Sequence, residues 1–308
     1  MLKILLVIIC ALLLMFFVLW LIGERGKLLM SSTNRFIQTA GIKRFLNFST
    51  LHGYIYLRIF KQYLKFLIRT NPTSHQSVRK FVANRYHSKV LTNNHARRLI
   101  TLDKDIPYQE IEQIVPYKIA RSIVMKAPPK IAAFECACRH SRPNPCLPTQ
   151  VCLFIGELYA DFMLEHHPKE SQLLTQTEAL KIIDEEHERG HIHSAWFKDA
   201  TIDRFYAICN CCKCCCGGIE TMVKYGIPIM ASSGYVAQSD DGKCKICGTC
   251  VNVCPFNALS LNQDHVIINW NKCMGCGVCV DKCTNKVLSL VRDEKKGVPL
   301  EVDLLTTN

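Results

Sequence analysis

A chain of 308 residues is long enough for two or three domains, and its 19 cysteines are far more than an ordinary core uses. Most of them sit two or three residues apart, where thiols bridge each other poorly; this argues against a secreted disulfide framework and for metal ligation. The net charge of +12 is uneven: fifteen Lys and Arg and no acidic residue lie between Glu24 and Asp103, so the remainder is slightly acidic.

From Ile4 to Ile22 all 19 residues are apolar. As a helix they would reach about 28 Å, close to the roughly 30 Å hydrocarbon core of a bilayer. The run ends in WLIGERGK without a small-residue cleavage site, so a transmembrane anchor (1–23) is read rather than a signal peptide. Lys and Arg directly after the span favour a body on the cytoplasmic side of the cell membrane.

Residues 24–102 form a basic, membrane-proximal region expected to be helical. Within it, Arg58, Lys61, Gln62, Lys65 and Arg69 recur at three- and four-residue steps, while Tyr54, Ile55, Ile59, Phe60, Tyr63, Leu64, Phe66 and Leu67 cover the rest. Such a helix suits the headgroup layer of an anionic membrane; the alternative is a helix on the protein's own core with a solvated basic face. No recognition motif accompanies the charge, so nucleic acid is not an expected partner.

A cysteine-rich middle domain is expected over 103–233. The segment from Asp103 to Gln113 reads as opening a helix. After KAPPK come Cys136, Cys138, Cys146 and Cys152, then TQTEALKIIDEEHERG, where Thr175 and Glu178 make a capping-box pair and Gly190 is placed to stop the helix. HIHSAWF reads as a strand leading to CNCCKCCCGG, which holds Cys209, Cys211, Cys212, Cys214, Cys215 and Cys216. Adjacent side chains diverge, so one centre takes only a subset of these ten. Three readings stand: further iron-sulfur clusters, a catalytic dithiol or special cluster, or structural zinc with buried thiols. Lys213 and Arg139 would help hold thiolate charge. His166, His167, His187, His191 and His193 are read in ordinary roles.

The C-terminal third is a duplication. CKICGTCVNVCP places Cys244, Cys247, Cys250 and Cys254, and CMGCGVCVDKCT places Cys273, Cys276, Cys279 and Cys283, both as C-x2-C-x2-C-x3-C and 29 positions apart. ALSL from Ala258 answers VLSL from Val287, PFNAL reads as a helical turn, and LSLNQDHVIINW as two short strands. Three evenly spaced thiols with a fourth, repeated, suit iron and sulfur better than zinc. Residues 235–293 resemble the bacterial-type ferredoxin with two 4Fe-4S clusters. The resemblance implies one cluster on Cys244, Cys247, Cys250 and Cys283 and another on Cys273, Cys276, Cys279 and Cys254. Thr284 stands where that family usually has proline. The central CACRH, TEALKII and CNCCKCCC run resembles a group of bacterial iron-sulfur proteins that end in the same domain and have no assigned reaction.

The expected fold class is α+β: anchor, basic helical region, middle domain, ferredoxin domain (234–295) and tail (296–308). The expected function is membrane-anchored electron transfer through two 4Fe-4S clusters, with a further iron-sulfur cluster or zinc in the middle domain. The partner would be a quinone-linked membrane oxidoreductase or a flavoprotein, alongside membrane lipid. The alternatives are a reductase whose middle cysteines are catalytic, or a redox or iron sensor. No Walker loop, GxGxxG, CxxCH or Gly-x-Ser-x-Gly is present.

Overall fold

The apolar run forms a single helix, α1 (Leu2–Gly23), long and apolar enough to cross a membrane and with none of its span buried against the rest of the chain. The computed structural model describes residues 2–41, 48–70, 76–119, 121–240 and 243–306. Lys43 and Arg44 of the basic region lie outside these.

The end of α1 is tied to the body by polar bonds. Glu24 is fully buried; it accepts from the Met30 amide at 2.6 Å, from Thr33 Oγ1 at 3.0 Å and from the Tyr54 hydroxyl at 2.5 Å. Trp20 stacks on Tyr54 with ring centroids 5.3 Å apart. Helix α2 (Ser31–Ala40) follows and buries Phe36.

Helices α3 (Phe48–Arg58) and α4 (Phe60–Thr70) occupy the segment expected at the membrane surface. They bury Tyr54, Tyr56, Leu57, Phe60 and Leu64 in the protein's own core, whereas Leu51, Ile55 and Ile59, four residues apart, remain exposed. The segment therefore serves the core on one side and leaves an apolar stripe outside. Helix α5 (Gln76–Arg85) then leads directly into a strand.

Among the described residues, nine strands make the central sheet. In chain order they and the intervening helices are β1 (Tyr86–Leu91), α6 (Asn93–Ile100), β2 (Ile106–Glu110), β3 (Ser122–Met125), β4 (Ile131–Glu135), α7 (Ala137–His140), β5 (Gln150–Ile155), α8 (Glu157–His166), β6 (Ser171–Leu174), α9 (Gln176–Glu188), β7 (Ile192–Lys198), β8 (Arg204–Cys211), α10 (Gly217–Val223) and β9 (Met230–Ala231). The main order is β6-β4-β5-β8-β7-β1-β9, with β3 joined to β8 and β2 to β3. Pairing is antiparallel except for β1 with β9 and β3 with β8.

Both faces of the sheet are covered, which side-chain alternation makes legible. Phe134, Cys152, Phe154, Trp196 and Tyr206 point into a core shared with α3, α4 and α8. Ile131, Ala133, Leu153, Ile155, Phe197 and Phe205 point into a second core shared with α6 and α9.

Three sequence expectations change here. The stretch from Asp103 to Gln113 forms β2 rather than a helix, because pairing with β3 satisfies its backbone. Strand β1 and helix α6 belong to the sheet domain, so the sheet crosses the boundary drawn at residue 102. Much of the basic charge is also paired within the chain, mostly at the surface: Lys61 with Glu170, Arg35 with Asp161, Arg85 with Asp199, Arg97 with Asp184 and Arg98 with Asp303. The acidic excess of the later chain thus complements the basic excess of the earlier one.

The last unit contains β10 (Tyr235–Ser239), α11 (Thr249–Val253), β11 (Leu259–Leu261), β12 (Val266–Ile268), α12 (Val278–Asp281) and β13 (Leu288–Arg292), after which α13 (Val302–Leu305) returns to the second core of the sheet. β11 pairs with β12 and β10 with β13, both antiparallel. The helical turn expected at PFNAL instead lies just before it, as α11. The fold class is α+β, mixed helix and strand behind an apolar N-terminal helix.

Candidate metal centres

In the C-terminal unit each cysteine loop ends at a glycine that starts a short helix: Gly248 before α11 and Gly277 before α12, both with positive φ. The helix then releases the fourth cysteine of its run toward the other loop. Cys244, Cys247, Cys250 and Cys283 line one cavity, closed by Leu261, Val266, Val287 and Leu288. Cys254 stands with Cys273, Cys276 and Cys279.

Backbone amides support the sulfurs. Ala258 N donates to Cys254 Sγ at 3.3 Å and Ala237 N to Cys273 Sγ at 3.5 Å. Burial pushes the Cys276 thiol up to about 12, so this thiolate needs a positive partner to exist at neutral pH. Gly275 sits at φ +63°, and a Cβ there would lie 2.2 Å from the Tyr235 carbonyl oxygen. Only glycine lets this loop close. Four thiols, amide donors and a close backbone at Cys254, Cys273, Cys276 and Cys279 suit iron-sulfur binding.

The ten middle cysteines separate into two groups. Strand register begins the first: Leu153 opposite Ile208 brings Cys152 beside Cys209, and Phe134 lies opposite Cys152 at the end of β4. Cys136 caps α7, Cys138 lies within it, Cys211 ends β8 and Cys216 caps α10. The thiols run as a chain of neighbours that shift one another's proton affinity: Cys209 beside Cys152, Cys152 beside Cys136, Cys136 beside Cys138, Cys138 beside Cys216, and Cys216 beside Cys211. These six line a small cavity of about 40 Å³, together with Phe60, Tyr86 and Trp196.

The paired glycines of CCGG allow the closure. A Cβ on Gly218 would lie 2.8 Å from the Trp196 ring. The Cys136 thiol is pushed up to about 12, most by its hydrogen bond with Cys138 and further by burial. Cys138, Cys152, Cys211 and Cys216 also lie above the ordinary thiol range, in a setting of mutual hydrogen bonds and burial. Without a metal such thiols stay protonated, which disfavours disulfide exchange by a free thiolate and suits a metal centre.

The second group is Cys146, Cys212, Cys214 and Cys215, and it includes a residue that sequence reading placed in an ordinary role. His191 Nε2 stands 3.7 Å from Cys146 Sγ. Its Nδ1 donates to Glu186 Oε2 at 2.7 Å, and Glu186 is paired with the fully buried Arg139. Burial alone would raise the Glu186 carboxyl, but the bonds from His191 and Arg139 hold it below its usual range. The helical spacing of His187 with His191 was no guide, since α9 ends at Glu188; His187 instead bonds Asp281 at 2.9 Å and stacks on His193. Lys213 points away from the thiols, donating to the Asn252 carbonyl at 3.3 Å.

The two cysteine-rich units touch. His187 meets α12 through Asp281, Lys213 meets α11 through Asn252, and Ser233 Oγ donates to the Gly275 carbonyl at 2.6 Å. Cys254, Cys273 and Cys279 share a continuous core with Cys136, Cys152, Cys211 and Cys216.

Residues 237–284 match the family of 4Fe-4S dicluster domains. The C-terminal unit is thus a ferredoxin-like iron-sulfur domain, and its cysteine quartets fall within or at the edge of that match. No curated protein and no solved structure matches the chain. Iron-sulfur binding by the dicluster domain supports an electron-transfer role.

Proposed function

We propose that the chain is a membrane-anchored electron-transfer protein in which the dicluster domain exchanges single electrons with a metal centre in the six-thiol cavity. The carrying observation is the continuous buried core that joins the dicluster cysteines to that cavity. One 4Fe-4S cluster is assigned to Cys244, Cys247, Cys250 and Cys283, and one to Cys254, Cys273, Cys276 and Cys279. Cys136, Cys138, Cys152, Cys209, Cys211 and Cys216 are assigned to a further iron-sulfur centre, which takes a subset of them. Iron-sulfur clusters supply one-electron transfer. The chain's own residues exclude water around the thiols, donate amides to sulfur, and hold the two units in contact through Asp281, Asn252 and Gly275.

Positive charge after α1 supports a body on the cytoplasmic side of the membrane. Leu51, Ile55 and Ile59 extend the apolar surface beyond the anchor and suit contact with lipid. A quinone-linked oxidoreductase or a flavoprotein is the proposed redox partner.

A second reading is favoured by one specific feature. A mostly apolar cavity of about 100 Å³ adjoins the thiol cavity, sharing Leu64, Tyr86, Cys138 and Gly218, and is lined further by Leu67, Ile68, Val82 and Ile229. It suits a lipophilic acceptor reduced at the thiol-held centre, which would make the protein a reductase.

Iron and acid-labile sulfide per chain, measured on full-length protein purified without oxygen, test the assignment. Twelve or more irons are expected, with Cys152→Ser lowering the count and leaving the dicluster resonance signals intact. Eight irons in the wild type, unchanged in that variant, would remove the third centre. Turnover with a soluble quinone separates the reductase from the relay.

A further inference from the structure

We infer that Cys146, His191, Cys212 and Cys215 bind a single soft divalent cation of the zinc class, at a site separate from the iron-sulfur centres. The donors come from three places in the chain: the loop between α7 and β5, the turn from Gly190 into β7, and the turn after β8. The sulfur of Cys146, a ring nitrogen of His191 and the sulfur of Cys212 lie within 4.8 Å of one another; Cys212, Cys214 and Cys215 form a second such trio.

The spacing decides between one ion and a cluster. A tetrahedral zinc with bonds of about 2.3 Å to sulfur and about 2.0 Å to nitrogen holds the two donors about 3.6 Å apart. The observed separation of Cys146 Sγ from His191 Nε2 is 3.7 Å. Thiolates of a cube each cap a different iron and stand farther apart. Among the described residues, no trio as tight as these two comes from the dicluster quartets.

The histidine is prepared for a metal. Nδ1 lies 2.7 Å from Glu186 Oε2 and 3.2 Å from Arg139 Nη2; with the proton on Nδ1 shared with the carboxylate, the Nε2 lone pair faces the sulfurs. Glu186 also accepts from Arg139 and, at 3.2 Å, from Arg189. A carboxylate behind an imidazole fixes its tautomer and orientation and raises its basicity, the arrangement found behind metal-bound histidines.

The fourth position is assigned to Cys215, which stands with Cys212 in the second trio and would have to close on the first as the ion binds. It is buried, and its sulfur accepts the Cys146 amide at 3.4 Å, a bond that supports thiolate charge; Cys214 is exposed at the mouth. Three thiolates and one imidazole fill a tetrahedron and leave no open position, so the ion is structural. Because Cys212 and Arg139 also line the six-thiol cavity, the ion would clip the 141–149 loop to the cavity wall.

Zinc and iron per chain in full-length protein, with acid-labile sulfide measured alongside, provide the test. One zinc per chain is expected. Cys146→Ser and Cys212→Ser should lose it while the dicluster iron remains, Cys214→Ser should keep it, and Glu186→Gln should bind it about 10–100-fold more weakly in chelator competition. Cobalt(II) added to zinc-stripped wild-type protein should give the visible absorption of a tetrahedral thiolate site, a readout that needs no variant. Wild-type protein without zinc and without that absorption, zinc retained in both serine variants, or loss of iron and sulfide rather than zinc from Cys212→Ser would each overturn the proposal. The iron-sulfur reading is judged separately, by iron and sulfide alone.

Discussion

Arg139 and Glu186 each have side chains only 1% exposed, and removing one partner leaves the other charge buried without its counterion. We expect Arg139→Met to destabilise the middle of the molecule by about 3–5 kcal/mol in denaturant unfolding, with partial recovery when Glu186→Leu is added. Lys89 on β1 tests burial differently. Burial, with a smaller push from Arg292, lowers its pKa from 10.5 to about 7. Between those values the unfolded chain holds a proton that the folded chain lacks, so stability rises with pH across the window and the burial cost is full below it. Lys89→Met should therefore stabilise by on the order of 2 kcal/mol at pH 7, a gain that shrinks toward pH 10. A pH-independent gain would contradict the assignment. The burial of Lys89 was not legible in the sequence, and Arg139, read there as a base that would hold thiolate charge, is found paired with Glu186 instead.

Elements read well where their signals are local. The capping box is present at Thr175 with both reciprocal bonds, Gly190 stops α9 at positive φ, and HIHSAWF is β7. The β11–β12 pair follows the two expected short strands. β2 was misread because its partner β3 arrives from a later stretch and no local spacing announces it. Close approach of elements gives two further tests. Gly218→Ala should cost about 1–3 kcal/mol, since its methyl would press on Trp196, and a thermal melt reads this directly. Gly275→Ala meets backbone instead, which cannot yield as a side chain can. It should lower the iron content by about four per chain, while a full complement in that variant would show that the loop has room to move.

At the scale of the molecule, charge is shared between the early and the late parts of the chain. The basic half of the chain is held on the acidic half by pairs such as Arg85 with Asp199, 3.0 Å apart, and Arg98 with Asp303, 2.7 Å apart. This leaves α1 and the stripe of Leu51, Ile55 and Ile59 as the surface suited to lipid. Deleting residues 2–23 should move the protein from the salt-resistant membrane fraction toward the soluble one. Retention that salt does not release would assign the attachment to the stripe. By itself the sequence determined what depends on neighbours along the chain: the apolar span, the duplicated cysteine runs, the caps and the short strands. Only the tertiary structure divided the ten middle cysteines, because that division rests on β5 lying beside β8 and on α7 and α10 meeting over the sheet. It also decided His191, whose partners lie 45 residues before it and 21 after; a ligand set assembled from distant loops leaves no spacing to read.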